Sequence, residues 1–269
     1  PHNPVASVTA ARNKYRMREL LRQHGVPIPR YTLVPVDTAP TSLAEQMEFP
    51  CVVKPLILSA SCGVIRANDP AEFVAAVRRV GMLLHRLGLT ATDEGARHLL
   101  VEQFIRGPEL AVEGLLTDSA LTVLAIFDKP DPLEGPFIEE TIYVTPSRQP
   151  ASVQADVTAC VQRATKALGL REGPIHAEVR VNEDGVWVIE VAARSIGGKC
   201  SQILRFASDL SLEELILRQA LRLPLPSLER EQRAAGVMML PVPCAGVLRG
   251  VGGQEEALAV PGIEDVTIT

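Results

Sequence analysis

Apolar positions along the chain change their period several times, and each change marks an element. Met17, Leu20 and Leu21 recur at helical spacing, and Gly25, Pro27 and Pro29 stop the pattern. Residues 15–24 are therefore expected as a helix and 31–36 as an extended segment. Phe-Pro-Cys-Val-Val-Lys at 49–54 reads as a buried strand that delivers Lys54 at its end. The small-residue loop 59–63 (Ser-Ala-Ser-Cys-Gly) leads into another strand at 64–66. Asp69, Pro70 and Glu72 supply an N-cap, a first-turn proline and a capping-box acid for a helix whose buried stripe is Phe73, Val74, Val77 and Leu84.

Strands follow at 99–101, 109–116 and 121–127, broken by Gly107, Pro108 and the turn at 117–119. A helix is expected over 152–168, closed by Gly169, then two strands at 175–181 and 186–193 around Glu183, Asp184 and Gly185. Another helix spans 212–221, and a Pro-rich link at 224–226 leads to an apolar stretch at 236–240. Strands dominate with helices interspersed, which is the α+β class rather than a βαβα succession.

The hairpin at 175–193 carries the most chemistry. Asp-Gly at its tip suits a three-residue loop with Gly185 at positive φ, a register that pairs Asn182 with Val186 and sets Glu178 opposite Glu190. Alternation then puts His176, Glu178 and Arg180 on one face, with Val188, Glu190, Ala192 and Arg194 facing them. Like charges directly opposite destabilise a sheet, so the two acids need a cation. Two glutamates with an open face suit the oxygen-ligand preference of Mg²⁺ held through phosphates, and Arg194 could stabilise charge on a transferring phosphoryl group. The alternative is a solvated sheet face with incidental acids. Lys54 has the same two readings: a snorkelling surface lysine, or a phosphate contact ahead of a loop whose backbone N–H groups can approach an anion. No Gly-x-x-x-x-Gly-Lys pattern supports a P-loop.

Composition narrows the class. The chain has 269 residues, 46% hydrophobic and 22% charged, enough for one large domain or two packed lobes, and a net charge of −5 with basic residues dispersed argues against a nucleic-acid surface. No stretch reaches the roughly 20 apolar residues that span a bilayer. The five cysteines, Cys51, Cys62, Cys160, Cys200 and Cys244, are isolated and odd in number. They indicate neither a disulfide framework nor a zinc site, and point to a reducing, cytoplasmic setting. The chain starts without methionine and ends on a β-rich Val-Thr-Ile-Thr, and so reads as a fragment cut at both ends.

In order and spacing, these features resemble the ATP-grasp superfamily from about Asn13 to Lys199. The resemblance implies an α+β fold in which two lobes grip ATP. Residues 1–30 would form an N-terminal linker and first helix, 31–103 the small lid lobe, 104–222 the large catalytic lobe, and 223–269 a small, truncated β-rich cap. Lys14 stands where the family's first phosphate-contacting lysine is expected, Lys54 resembles the second, and Ser59, Ser61 and Gly63 lie in the loop that covers the β- and γ-phosphates. The run at 101–109, Val-Glu-Gln-Phe-Ile-Arg-Gly-Pro-Glu, is similar to the adenine hinge. It implies Glu102 beside the adenine amino group, the Gln103 and Ile105 backbone against the ring, and Glu109 on the ribose. Glu178 and Glu190 fall at the two Mg²⁺ positions, with Mn²⁺ as an alternative ion, and Arg194 at the catalytic arginine. One departure is Ala192 where the family often has asparagine, which makes a second metal ion less secure.

On the substrate side, Lys129 could reach the γ-phosphate, and Glu139 or Glu140 could pair with a substrate ammonium, at least one of the two being a solvated loop residue. His176 either approaches substrate or is a hydrogen-bonded histidine near the core. Ser195, Gly197 and Gly198 either present N–H groups to a carboxylate or acyl phosphate, or merely turn the chain. The resemblance in these segments is to amino-acid-ligase and carbamoyl-phosphate-like members. It implies an ATP-dependent ligase joining a small-molecule carboxylate to an amine through an acyl phosphate. A bicarbonate-using or carbamoyl-phosphate-type enzyme and a non-catalytic nucleotide-binding module are the alternatives, and a homodimer is left open.

Overall fold

The computed structural model describes residues 2–131, 135–138, 141–225, 227–240 and 246–268. The chain begins with helices α1 (Val5–Arg12) and α2 (Lys14–Gln23), then strand β1 (Tyr31–Pro35), α3 (Pro40–Ala44), β2 (Cys51–Pro55) and β3 (Ile65–Ala67). Next come α4 (Pro70–Arg86), a short α5 (Leu89–Thr92), β4 (His98–Gln103), β5 (Glu109–Thr117), β6 (Ala120–Lys129) and β7 (Ile142–Thr145). Helix α6 (Ala151–Ala167), β8 (Gly173–Asn182), β9 (Gly185–Ala192), β10 (Arg205–Phe206), β11 (Leu210–Ser211), α7 (Leu212–Ala220), β12 (Ala235–Met238) and α8 (Gln254–Leu258) complete it. Two compact units result, Pro1–Met239 and Leu240–Thr269.

The first unit is built on two antiparallel sheets, one of four strands in the order β1-β4-β2-β3 and one of six in the order β12-β7-β6-β5-β8-β9. Helix α4 covers the small sheet because Phe73, Val77, Val80 and Leu84 recur on one side and bury against Val53, Ala67, Leu99 and Val101. Its start is fixed as expected. Asp69 accepts the Glu72 N–H at 2.9 Å, and the Glu72 carboxylate reaches the Asn68 N–H at 2.7 Å. The six-stranded sheet has a core on each face. Leu110, Val112, Ile175, Ala177, Val179 and Val188 pack under α2 and α6, while Ala111, Leu115 and Phe127 pack with Ile196, Leu204 and Leu215 on the other side. That second face also carries the charged side chains described below.

Three features depart from the sequence-based expectation. Helix α1 is not signalled by its own residues, and tertiary contacts hold it: Asn3 accepts the N–H groups of Arg171 and Glu172, at 2.7 and 3.0 Å, and the Ser7 hydroxyl donates to Gly169 O. Within the segment expected as a separate cap, β12 pairs with β7 as the edge of the large sheet, through Gly236 opposite Val144 and Val237 opposite Tyr143. Among the described residues of Leu240–Thr269, the regular structure is α8 alone.

The third correction concerns the tip of the β8–β9 hairpin, where Asn182 pairs with Gly185 instead of Val186. Gly185 does take positive φ, +123°. A β-bulge then absorbs the offset. Val179 pairs with Val188, Ile189 is the extra residue, and Glu178 faces Glu190 as expected. The bulge also reverses one assignment, because Val188 joins Val191 in the buried core and does not share the face of Glu190. No helix among the described residues is long and apolar enough to cross a membrane.

Candidate active site

The small sheet contributes a buried ion triad. Since Val53 and Val101 point into the core beneath α4, alternation turns Lys54 on β2 and Glu102 on β4 to the opposite face. There Lys54 Nζ lies 2.6 Å from Glu102 Oε2, and Arg18 of α2 donates from Nε to Glu102 Oε1, also at 2.6 Å. Arg18 further donates from Nη2 to the carbonyl of Ile189, the bulged residue of β9. Burial alone would push the Glu102 carboxyl up, but the two cations outweigh it and hold the pKa at about 2. Both Glu102 oxygens are thus engaged by protein cations.

Lys14 is the first residue of α2, behind the N-cap Asn13, whose side chain accepts the Arg16 N–H. Its backbone N–H donates to Leu56 O and its Nζ to Leu58 O at 2.7 Å, while Nζ stands 3.6 Å from Glu190 Oε2. Burial is the main cause that lowers the Lys14 pKa. Nearby Lys54 adds to the depression, and Glu190 opposes it. Beyond Leu58 the chain turns sharply, with Ala60, Ser61 and Gly63 at φ of +53°, +52° and +76°. Cys62 N–H bonds to Ser59 O and Val64 N–H to Ser61 O, so the loop is a tight double turn with Ser59 and Cys62 exposed.

Residues 103–109 join the two sheets. Gln103 N–H donates to Arg30 O, and the Ile105 carbonyl accepts from Arg180 Nη1 at 2.8 Å. Two guanidiniums lie over the Phe104 ring, Arg66 at 4.1 Å and Arg180 at 4.8 Å from its centroid. Gly107 has φ of +113° and sits so close that a Cβ there would meet the Val181 carbonyl at 2.0 Å.

On the large sheet, three ladder rows carry the charge. In the first, Lys129, Glu109 and Arg180 stand side by side on β6, β5 and β8, with Lys129 Nζ and Arg180 Nε each 2.8 Å from one oxygen of Glu109. In the second, Ala111 adjoins Glu178, which faces Glu190. Lys129 spans the two rows, its Nζ 3.0 Å from Glu178 Oε1. In the third, Glu113 adjoins His176, which faces Ala192. His176 Nδ1 and Nε2 lie 3.5 Å from Glu113 Oε2 and Glu178 Oε1 respectively. Burial works against a charged imidazole here, yet the two carboxylates prevail and raise the His176 pKa to about 9.

Arg194 is exposed just past β9, donating to Ser195 O. Ile196 plugs into the core, and Gly197 and Gly198 are exposed, Gly198 at φ +62°. Glu139 and Glu140 lie outside the described residues. The chain before them, through Pro136 and Phe137, runs beside β3: Arg66 N–H donates to Pro136 O, and Ile65 bridges Phe137.

The structure therefore brings Lys14, Lys54 and Glu102 together with Glu190, and Lys129 and Glu109 together with Glu178 and His176. Arg18 and Glu113 were not singled out from the sequence. Glu113 did carry a signal, an acid on the same strand face as Glu109 within the otherwise apolar run Glu-Leu-Ala-Val-Glu-Gly-Leu-Leu. Arg18 had a weaker one, a basic residue four positions after Lys14 on the same side of a helix.

Among the described residues, no three or more His, Cys, Asp or Glu side chains converge as a ready-made metal cage. Glu178 and Glu190, partly exposed and directly opposed, are a donor set that suits Mg²⁺, which usually takes one or two carboxylates and completes its shell with phosphate oxygens and water. A cleft of about 750 Å³ lies at the hinge end of the small sheet, lined by Tyr15, Glu19, Arg30, Glu48, Glu102 and Gln103 among others. Its polar groups satisfy one another: Arg22 bonds to Glu19 and Tyr31, and Arg30 to Glu48 and Gln103. Glu178 and Glu190 do not line it.

Known proteins share this fold. The crystal structure of an L-amino acid ligase from Bacillus licheniformis superposes with a TM-score of 0.82 at 31% identity, over 98% of this chain and 64% of that one. An uncharacterized protein, y4rH, of Sinorhizobium fredii is 29% identical over 97% of this chain and 52% of its own length. A D-alanine--D-alanine ligase of Aromatoleum aromaticum is 29% identical over 67% of this chain and 55% of its own length. The chain thus spans about half the length of these two curated relatives. Residues 47–203, more than half of the chain, match the ATP-grasp domain, and with its α+β architecture of two antiparallel sheets the chain belongs to the ATP-grasp family.

Proposed function

We propose that this chain is the nucleotide-binding and catalytic part of an ATP-dependent ligase that joins the carboxylate of one small molecule, an amino acid, to the amine of another. The observation that carries this reading is the opposed pair Glu178 and Glu190, with Lys14 beside Glu190, Lys129 beside Glu178, and Lys54 held by Glu102 near Lys14. The 31% identity to an L-amino acid ligase along nearly the whole chain favours the amino-acid substrate class.

In this reading ATP lies between the two sheets, its base against the hinge at 102–105 and its ribose toward Glu109. Lys14 and Lys54 neutralise phosphate oxygens, and the turn bearing Ser59, Ser61 and Gly63 covers them. Glu102 then acts chiefly by holding Lys54 and Arg18 in place, since its oxygens are already engaged by both. Glu178 and Glu190 would hold Mg²⁺, which supplies charge neutralisation on the phosphates when bound. Lys129 keeps Glu109 and Glu178 close, and is assigned to the γ-phosphate.

A substrate carboxylate oxygen attacks the γ-phosphorus, the bond to the β-phosphate oxygen breaks, and ADP leaves. Arg194 stabilises the charge on the phosphoryl group in transit. The amine then attacks the acyl carbon, loses a proton, and expels inorganic phosphate. Rate gain here comes mainly from positioning and charge stabilisation. The turn at 195–198 is assigned to the substrate carboxylate or acyl phosphate, and Glu139 or Glu140 to a substrate ammonium.

The test is ADP release across a panel of amino acids, with and without bicarbonate, for the wild type and Glu190→Gln. Amino-acid-dependent release that needs no bicarbonate and disappears in the variant, whose thermal unfolding is unchanged, supports the assignment. Release that requires bicarbonate and ignores amino acids would replace it with a carboxylating activity, and normal turnover in Glu190→Gln would remove the metal role.

A further inference from the structure

Glu113 is wholly buried on β5, yet the nucleotide chemistry above makes no use of it. A buried carboxylate costs free energy unless its partners compensate, so the partners indicate its purpose. Oε2 accepts the Ile196 N–H at 2.9 Å and lies 3.5 Å from His176 Nδ1, its neighbour in the ladder. His176 in turn reaches toward Glu178 through Nε2. Glu113 Oε1 and His176 Nδ1 are buried without a hydrogen-bond partner among the described residues. A residue needed only to fill this core would carry neither charge nor orphaned polar atoms; leucine would serve, as at Leu115 two positions along.

The bond to Ile196 has a specific geometric effect. Ile196 is anchored in the core beside Cys200 and Leu204, while Gly197 and Gly198 are exposed and conformationally free. With its N–H pinned to a strand of the large sheet, the start of the turn is fixed relative to Glu178. We propose that Glu113 is a positioning residue that locks the 195–198 turn and, through His176, the Glu178 carboxylate into one rigid acceptor-side frame. This deepens the ligase reading and rests on it for the substrate's identity.

Two variants separate geometry from charge. Glu113→Asp keeps the charge but withdraws the carboxylate by one methylene from Ile196; Glu113→Gln keeps the length and an acceptor oxygen but removes the charge. If position is what matters, Glu113→Asp raises the KM for the amino-acid substrate about tenfold with a smaller change in kcat, and Glu113→Gln stays within about threefold of wild type. Amide exchange at Ile196 should accelerate in the aspartate variant and remain protected in the glutamine variant. Equal effects of the two, or a harmless Glu113→Asp, would overturn the proposal.

If the wild type shows no amino-acid-dependent turnover, the ligase reading fails by itself. The positioning claim is then decided by Ile196 exchange and by the gain in ADP affinity that Mg²⁺ confers, expected to fall about threefold in Glu113→Asp only. Should that variant not fold, His176→Gln carries the test: Ile196 protection is retained and the Mg²⁺ gain falls, whereas an unchanged gain contradicts the link to Glu178.

Discussion

Glu102 shows how much of this site depends on single buried charges. Its carboxylate compensates two cations, Arg18 and Lys54, that are almost fully buried, so Glu102→Gln leaves both without a counter-charge. Breaking a buried ion pair in this way typically costs about 3–5 kcal/mol, which urea denaturation would register as a lower midpoint with little change in slope. Because the folded-state pKa is depressed, the stabilisation is fully present above the ordinary carboxylate pKa and is lost as pH falls toward 2. His176 has the opposite sign. Its pKa is raised to about 9, so its contribution is complete below about 6.5 and disappears as pH rises through 9. In metal-free protein, His176→Gln should therefore flatten the decline in stability between those two values; a decline as steep as in the wild type would show that another group titrates there.

Two elements determine whether the residues can meet. The bulge at Ile189 lets β9 present Val188 and Val191 to the core and Glu190 to the site, and it releases a carbonyl for Arg18. That His176, Glu178 and Arg180 share a face was readable in the sequence, because a period of two depends only on strand identity. The tip register was off by one, and the bulge cancelled that error; bulges have no signature in a run such as Val-Trp-Val-Ile-Glu-Val. The hinge is simpler. Gly107→Ala would drive a Cβ into the Val181 carbonyl from a backbone that also requires positive φ. The substitution should push the 103–109 link off β8, lowering stability by more than the roughly 1 kcal/mol usual for point variants, seen as a lower unfolding midpoint. A midpoint equal to the wild type would mean that the hinge repacks freely.

At the scale of the molecule, the site is assembled from distant parts of the chain. Lys14 joins α2 to the loop after β2 and to Glu190, and Arg18 reaches Glu102 across 84 positions. Lys54, Glu178 and Glu190 stood out from the pattern of their own strands, whereas Lys14, Glu102, Glu109 and Lys129 were named only through the family resemblance. Arg18, Glu113 and the docking of α1 through Asn3 were hidden because their partners are supplied only by the tertiary fold. The fold class was legible from the succession of short strands, whereas the place of β12 in the large sheet depended on pairing with β7, which no periodicity encodes. Lys14 beside Glu190 and Lys129 beside Glu178, with Lys54 held by Glu102 near Lys14, form the cluster on which the proposed ligase activity rests. The most direct test follows one oxygen atom: an amino-acid substrate with ¹⁸O in its carboxylate is turned over with ATP, and the released phosphate is analysed by mass. Transfer of one ¹⁸O per phosphate is the expected result, and phosphate free of label while a product forms would contradict an acyl-phosphate ligase.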